Sequence, residues 1–312
     1  MRDETYAPVA VFAYNRLDKI QKCISALEKC ELVEKTTLYI FADGYKGEKD
    51  KAAVEDVHKW IKEYSASCFK DVNLVLKEHN CGLANSIISG VTELIDKYGR
   101  AIVVEDDLIV SPQFFRYMNE GLDFYQHDDR IWAMASYGYD LKSLREYKHD
   151  IYVGYRASSW GWATWKDRWE TVDWEVKDYE KLQQSLEMQK KFCRGGGDLY
   201  PMLQRQMRGE SDSWAIRWNY AASMQDKLTV YPKVGLVSND GFDGSGTHSG
   251  LHAPDAIVEE MNQKSFDVKF ENVELDRKIT KEFYLLHTDT FLKKVKRNAS
   301  IKDIIKLIKR LV

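Results

Sequence analysis

Three consecutive acids follow directly on the apolar run at residues 102–104. The run predicts a buried strand, so these carboxylates, at positions 105–107, would stand together at its carboxyl end. Adjacent carboxylates repel one another unless a cation lies among them, and their hard oxygen atoms suit Mg²⁺ or Mn²⁺. A metal held in this way keeps positions open for phosphate oxygens and stabilises a diphosphate leaving group. A solvated turn ahead of the next helix is the alternative interpretation.

Tryptophan is concentrated in one part of the chain, since eight of the nine tryptophans lie within residues 132–218. A tryptophan ring that lies flat against a sugar buries the C–H face of that sugar. Trp162, Trp165 and Trp169 recur at helical spacing, however, which indicates a core position for most of them. We expect Trp160 or Trp162 to contact a ligand.

These groups need a scaffold, and the first 135 residues predict one. Short apolar runs alternate there with segments of helical periodicity; the runs lie at residues 8–14, 37–42, 72–76, 101–104 and 131–135. Runs that are apolar throughout indicate strands covered on both faces, and the alternation is typical of βαβ units around a parallel sheet. Ligands of such sheets bind beyond the carboxyl ends of the strands. We therefore expect an α/β fold with a mostly parallel central sheet flanked by helices, and the acids at its ligand edge.

The same region resembles a known family. Residues 103–117, which contain the three acids, resemble the Glu-Asp-Asp form of the DXD motif in GT-A glycosyltransferases of the N-acetylglucosaminyltransferase I type and their bacterial relatives. Residues 11–16 resemble that family's first strand, which ends in an arginine, and residues 41–44 its second strand, which ends in an acid. Residues 82–84 match the start of the helix that leads to the acidic motif. The resemblance covers residues 8–125 and implies a GT-A fold with a Rossmann-like sheet.

The resemblance implies roles for the three acids. Asp107 would bind Mn²⁺ or Mg²⁺ directly, Asp106 would lie near the ribose of the nucleotide, and Glu105 near the donor sugar.

It also implies a nucleotide site. Asp43 would face the uracil of a UDP-sugar and Arg16 the nucleotide end, with Asn15 and Leu83 in the same donor site. A guanidinium fork suits phosphate, and a carboxylate accepts the imide N–H of uracil. An ion pair of Arg16 at the strand end, and an ordinary turn at Asp43 before Gly44, are the alternatives.

The second half of the chain matches the family more loosely. Residues 158–165 resemble the Gly-Trp segment that lines the sugar site, which implies donor contacts for Trp160, Gly161 and Trp162. The glycine-rich residues 239–250 resemble a loop that orders on nucleotide-sugar binding, and its His248 would meet the metal or the diphosphate. A solvated surface loop is the alternative.

An inverting transferase needs a carboxylate to take the proton of the acceptor hydroxyl. The family places this base in an Asp-Asp-Trp segment, and here Asp212 lies two residues before Trp214. We therefore predict Asp212 as the base, with Glu210 in reserve. Asp212 could at the same time cap a helix over residues 213–223.

Composition narrows the function further. The net charge of −3 argues against a nucleic-acid partner, and the five cysteines form no C-x-x-C pair, which argues against a disulfide framework or a zinc ribbon. Without a signal-peptide pattern or an apolar run long enough to span a bilayer, we expect a cytoplasmic protein. We predict a GT-A domain at residues 1–290, with a nucleotide-sugar-binding half at 1–135 and an acceptor-side half at 136–290.

The last 22 residues, 291–312, carry eight of the chain's lysines and arginines and only one acid, beside isoleucines at helical spacing. This pattern predicts a basic amphipathic C-terminal helix that binds an anionic membrane surface, and hence a peripheral position on the inner face of the cytoplasmic membrane. Docking of this helix on the protein's own core or on a second subunit is the alternative, and the oligomeric state stays open.

Together these patterns predict a metal-dependent, inverting glycosyltransferase. It would move a sugar from a nucleotide-sugar donor, such as UDP-GlcNAc, to a glycan or lipid-linked glycan acceptor in bacterial surface polysaccharide synthesis. Two other functions compete. A sugar-nucleotide pyrophosphorylase would carry a glycine-rich loop after its first strand, which residues 14–17 lack. A non-catalytic carbohydrate-binding protein would not need three acids at a strand end.

Overall fold

The computed structural model describes residues 6–65, 68–241 and 267–288. Its strands are β1 (Val9–Ala13), β2 (Thr37–Ala42), β3 (Asp71–Leu76), β4 (Arg100–Glu105), β5 (Leu108–Val110), β6 (Ile131–Ala135), β7 (Ile151–Gly154), β8 (Trp162–Trp165), β9 (Leu228–Pro232) and β10 (Val237–Asn239). Its helices are α1 (Leu17–Leu27), α2 (Glu48–Glu63), α3 (Leu83–Tyr98), α4 (Phe114–Phe124), α5 (Lys166–Trp169), α6 (Tyr179–Gln184), α7 (Leu186–Phe192), α8 (Leu199–Met207), α9 (Trp214–Met224) and α10 (Arg277–Leu286).

Eight of these strands form one sheet in the order β3-β2-β1-β4-β8-β6-β9-β7. Strands β1 to β4, β6 and β9 run in one direction, and β8 and β7 run against them. The prediction of a mostly parallel α/β sheet flanked by helices is confirmed. Strands from both predicted halves of the chain enter this one sheet, while the domain division itself stays a prediction.

Both faces of the sheet are covered, as the continuously apolar strands require. On β1, Val9, Val11 and Ala13 pack in the core that contains residues of α1, α2 and α4. The alternate residues Ala10 and Phe12 pack in the second core, with residues of α3 and α9. Because parallel neighbours share one direction, the carboxyl ends of β2, β1 and β4 meet at one edge.

A group of tryptophans fills the second core. Neighbouring ring centroids in this tryptophan cluster lie 4.3–6.3 Å apart. Its members are Trp132, Trp162, Trp169, Trp174, Trp214 and Trp218. The helical spacing assigned to this region is wrong at Trp162 and Trp165, which lie on β8 and pack in opposite cores. When a strand is buried on both faces, all its residues are apolar, so its sequence shows no alternation that would distinguish it from a buried helix.

Helices α6 and α7 follow each other directly and are separated by a single residue. The break falls at Ser185, whose hydroxyl accepts a hydrogen bond from the Met188 N–H (3.2 Å) and so caps α7. Serine is a favoured N-cap because its oxygen satisfies a backbone donor of the first turn.

A short antiparallel ribbon of β5 and β10 lies beside the acidic motif. Strand β5 follows the acidic motif directly, and β10 pairs with it so that Asn239 lies opposite Leu108. Across residues 6–65, 68–241 and 267–288, none of the helices has the length and apolar character that crossing a membrane requires.

Candidate active site at the carboxyl edge of the sheet

The three acids stand at the end of β4, where the sequence predicts them. Glu105 is the last residue of the strand and is half-buried, whereas Asp106 and Asp107 are buried, with 3% and 8% of their surfaces exposed. The main-chain N–H of Asp106 donates to the carbonyl of Phe12 on β1 (3.1 Å), which extends the pairing of the two strands into the motif. Backbone pairing therefore fixes where these carboxylates lie.

Arg16 reaches the acids from the end of β1. Its guanidinium forms ion pairs with Asp106 and with Oδ2 of Asp107 (2.9 Å). Burial alone would lower the pKa of Arg16, but the charges of Asp106 and Asp107 raise it overall. The ion pair considered as an alternative for Arg16 is therefore present, and it places a guanidinium fork beside the acidic motif.

The acidic motif carries more negative charge than Arg16 balances. Burial raises the pKa of Glu105 to about 8, and the neighbouring Asp107 and Asp106 add to this effect. Burial likewise raises the pKa of Asp106 to about 6, although Arg16 opposes it. Both shifts express the cost of gathering carboxylates in a poorly solvated place, a cost that a bound cation would reduce.

The motif fits a hard divalent cation whose coordination is completed by oxygen atoms of a substrate and by water. Within the described part of the chain, no three His, Cys, Asp or Glu side chains are grouped so as to hold a metal. Mg²⁺ is usually held by one or two carboxylates plus phosphate oxygens and water. Asp106 and Asp107, which share the single guanidinium of Arg16, supply two carboxylates of this kind.

Asp43 follows β2, the strand next to β1, and its side chain has two different environments. Oδ2 accepts hydrogen bonds from the N–H groups of Cys81 (2.9 Å) and Gly82 (3.2 Å). Oδ1 is buried and has no hydrogen-bond partner within the described residues. A buried carboxylate oxygen left in this state favours a ligand that brings a donor. Two strand spacings separate β2 from β4, so Asp43 and the acids lie roughly 10 Å apart along the edge.

Asp212 joins this edge from the loop before α9. Its Oδ2 accepts a hydrogen bond from the Ala84 N–H (3.2 Å) in the first turn of α3, and its Oδ1 lies 3.9 Å from the Arg217 guanidinium. The side chain is 55% exposed. The idea that Asp212 caps its own helix is wrong, because the Ser213 hydroxyl accepts from the Ile216 N–H (3.3 Å) and caps α9 instead.

Glu210 faces away from this arrangement. It is exposed and forms a two-bond ion pair with Arg208 (2.6 and 2.9 Å), and that pairing lowers the pKa of Glu210. The structure therefore does not bring Glu210 to the other candidates.

The Gly-Trp segment divides between surface and core. Trp160 is half-buried and packs edge-on against Tyr137, with ring centroids 4.8 Å apart. The carbonyl of Gly161 accepts from the N–H and hydroxyl of Ser136 (2.9 and 2.8 Å). Trp162 is only 1% exposed. The prediction that the Trp162 side chain contacts the donor is therefore wrong, since no ligand reaches a ring enclosed by the tryptophan cluster.

The remaining predicted residues are placed as follows. Asn15 is half-buried between β1 and Arg16, and Leu83 is 48% exposed at the start of α3. His248, the loop at residues 242–250 and the basic tail at 291–312 lie outside the described residues.

Sequence reasoning missed Lys19 and Asn239. Lys19 is 4% exposed on the inner side of α1, and Asn239 Nδ2 donates to Oδ1 of Asp107 (3.3 Å). A signal for Lys19 was present, because it lies three residues after Arg16 and four before the buried Cys23, on one helix face.

Comparison with known proteins addresses the same stretch of chain. Residues 90–179, which include the acidic motif, match the GNT-I family. The alpha-1,3-mannosyl-glycoprotein 2-beta-N-acetylglucosaminyltransferase of Arabidopsis thaliana is 27% identical over 99 residues. That alignment covers 28% of this chain and 21% of the relative, so the chain spans about a fifth of the relative's length. The resemblance drawn from the motifs is thereby confirmed.

Some solved structures are similar to part of this chain, and the name of one of them states a glycosyltransferase activity. A mannosyltransferase, PcManGT from Pyrobaculum calidifontis, was solved with GDP-Man and Mn²⁺; it is 13% identical and matches 53% of this chain and 46% of its own, with a TM-score of 0.37. Residues 1–349 of S. aureus TarS are 12% identical and match 56% of this chain and 49% of their own, also with a TM-score of 0.37.

Proposed function

We propose that this protein is a glycosyltransferase that moves a sugar from a nucleotide-sugar donor to a glycan acceptor. The observation that carries the proposal is the meeting of Arg16, Asp43 and the acids 105–107 at the carboxyl ends of three neighbouring strands. Ligands of parallel sheets bind at this edge. The match of residues 90–179 to the GNT-I family supports the same activity.

We further propose that the transfer depends on Mn²⁺ or Mg²⁺ held by Asp107. When bound, such an ion supplies positive charge for the departing diphosphate. Asp106 and Arg16 stay paired beside it, and the guanidinium presents donors to phosphate oxygens. Because Asp106 and Asp107 are buried, these charges act in a poorly screened place.

The donor is proposed to be a UDP-sugar such as UDP-GlcNAc. The free Oδ1 of Asp43 is suited to accept the imide N–H of uracil, and its separation from the acids suits a nucleoside at one end and a diphosphate at the other. The name of the Arabidopsis thaliana relative, an N-acetylglucosaminyltransferase, supports the sugar.

The transfer is proposed to invert the anomeric carbon, with Asp212 as the base. Oδ2 of Asp212 is anchored by the Ala84 N–H, while half of the side chain is open to solvent. An anchored but reachable carboxylate can take the proton of an incoming acceptor hydroxyl.

A lipid-linked glycan of a bacterial surface polysaccharide is the proposed acceptor. The support is the basic, amphipathic composition of residues 291–312, which suits an anionic membrane surface. Co-sedimentation with anionic vesicles, comparing the full chain with one that stops at Thr290, tests this point. Equal sedimentation of the two would contradict it.

The activity is tested by measuring nucleotide diphosphate release from a panel of UDP- and GDP-sugars with Mn²⁺, Mg²⁺ or EDTA. We expect release from a UDP-sugar that requires a divalent ion and increases when a glycan acceptor is added. Full release in EDTA would contradict the role of Asp107. Pyrophosphate formation from a nucleoside triphosphate would instead identify a pyrophosphorylase.

A further inference from the structure

Lys19 on α1 is a buried cation close to the acidic motif. Its side chain is 4% exposed, and lysine is almost never buried to this degree unless it is paired. The ammonium donates to the main-chain carbonyl of Asp240 (2.7 Å) and to its Oδ2 (3.1 Å). Lys22, one turn later, donates to the same Oδ2 (2.8 Å) but is 55% exposed. One carboxylate is therefore held by a buried and by an exposed lysine of the same helix.

Asp240 and its two neighbours enclose Asp107. The Asp240 N–H donates to the main-chain carbonyl of Asp107 (2.8 Å), and Asn239 Nδ2 donates to Oδ1 of Asp107 (3.3 Å). A methyl group on Gly241 would lie 2.4 Å from Oδ2 of Asp107. The segment 239–241 thus contacts the backbone and approaches both carboxylate oxygens of Asp107, and a side chain at position 241 would displace one of them.

We propose that Lys19 is a positioning residue for Asp107. By holding Asp240 through both its backbone and its side chain, Lys19 fixes the segment 239–241 and thereby the orientation of the Asp107 carboxylate. The inference rests on the proposed metal role of Asp107. Residues that orient a metal-binding side chain typically change metal affinity by about 10–100-fold when they are replaced.

Lys22 provides a matched control within the same helix. It binds the same oxygen of Asp240 but from an exposed position, where water and salt screen the pair. Its bond reaches only the side chain of Asp240, whereas Lys19 also holds the main chain next to Asp107. Comparing replacement of Lys19 with replacement of Lys22 therefore distinguishes an effect of lost positive charge from an effect of lost positioning.

The test is Mn²⁺ binding, measured by electron paramagnetic resonance titration of the full chain, alone and with UDP. We expect Lys19→Met to raise the dissociation constant of Mn²⁺ by about 10–100-fold. Lys22→Met should change it by less than about fivefold, as exposed pairs do. Circular dichroism establishes that each variant is folded. Asp240→Asn removes the carboxylate charge but keeps the main-chain carbonyl that accepts from Lys19, so it should raise the dissociation constant by more than Lys22→Met and by less than Lys19→Met.

A double variant, Lys19→Met with Asp240→Asn, should bind Mn²⁺ no more weakly than the worse single variant, because both changes break one connection. Wild-type affinity in Lys19→Met or in Asp240→Asn, or equal losses in Lys19→Met and Lys22→Met, would overturn the positioning role while leaving the metal site in place. A wild-type chain that fails to bind Mn²⁺, or an Asp107→Ala variant that binds it equally well, would instead overturn the metal site and this inference with it.

Discussion

Two regions of the molecule supply candidate catalytic carboxylates, and their surroundings differ. Asp106 and Asp107 are buried and paired with Arg16, and residues 239–241 contact Asp107. Asp212 has half of its side chain in solvent and is anchored to the backbone at Ala84. A fixed, poorly solvated charge suits a cation and a leaving diphosphate, whereas a proton acceptor for a bulky glycan must stay accessible. The difference in burial thus divides the two halves of the proposed reaction between two regions.

The largest effect should come from Asp107→Ala, which removes the proposed metal-binding carboxylate from the buried region. We expect no detectable transfer in a nucleotide diphosphate release assay, and weaker UDP binding by calorimetry. The folded state should be little affected, because Arg16 keeps Asp106 as its partner and repulsion within the acidic motif falls. Glu175→Ala, which removes an exposed acid that pairs only with the exposed Lys177 among the described residues, is the control. Full activity of Asp107→Ala would contradict the proposed metal-binding role of the buried region.

Asp212→Asn tests the exposed region. The kcat should fall by about 10²–10⁴-fold, the usual contribution of a general base, while donor binding stays unchanged. The amide oxygen of asparagine can still accept from the Ala84 N–H, so thermal unfolding should also be unchanged. Asp212→Ala should add a loss of about 1 kcal/mol in unfolding free energy, as removal of a helix-capping acceptor does. A kcat for Asp212→Asn close to wild type would assign the base elsewhere.

Arg16→Met should lower the free energy of unfolding, because the repulsion between the buried carboxylates of Asp106 and Asp107 is then no longer balanced. Removing the guanidinium leaves buried carboxylates without their counter-charge, which costs about 3 kcal/mol of unfolding free energy. Mn²⁺ should restore part of this stability, since an ion that binds only the folded chain stabilises it. Urea unfolding with and without Mn²⁺ measures both effects. Arg208→Met, at the exposed pair with Glu210, is the matched control and should unfold like wild type. Equal free energies of unfolding for Arg16→Met and Arg208→Met would contradict the idea that the buried ion pairs of Arg16 stabilise the fold more than the exposed pair of Arg208.

The smallest effect should come from Glu210→Gln. This side chain is exposed and paired with Arg208, away from the other candidates, so we expect the kcat of wild type in the same assay. A large loss of kcat here, with none in Asp212→Asn, would move the base by two residues.

The candidate residues that sequence placed well are those that follow an apolar strand. Five predicted strands match β1, β2, β3, β4 and β6 within one or two residues at each end. Residues directly after β1, β2 and β4 were therefore assigned to one edge correctly, because the carboxyl ends of adjacent parallel strands must meet.

Other features depend on contacts between distant parts of the chain. Lys19 and Asp240 are 221 residues apart in sequence, and no local pattern links them. Trp162 was assigned to the ligand because residues 158–165 resemble the Gly-Trp segment of a sugar site. The packing of α9 against β8, which no local pattern shows, buries its ring instead. Capping of the helix that follows was considered as an alternative role for Asp212, but the neighbouring Ser213 caps that helix, and Asp212 accepts a hydrogen bond from the first turn of α3 instead.

The tryptophan cluster has an optical consequence. Its six indole rings lie close enough, 4.3–6.3 Å between centroids, for their electronic transitions to couple. The near-ultraviolet circular dichroism of the protein should therefore carry a strong tryptophan signal that depends on rigid packing and vanishes when that packing loosens, even if the helices and strands persist. Trp162 lies on β8, which pairs with β4, the strand that ends in the acids. The tryptophan signal therefore reports on the packing of the strands that carry the candidate site, without any added label.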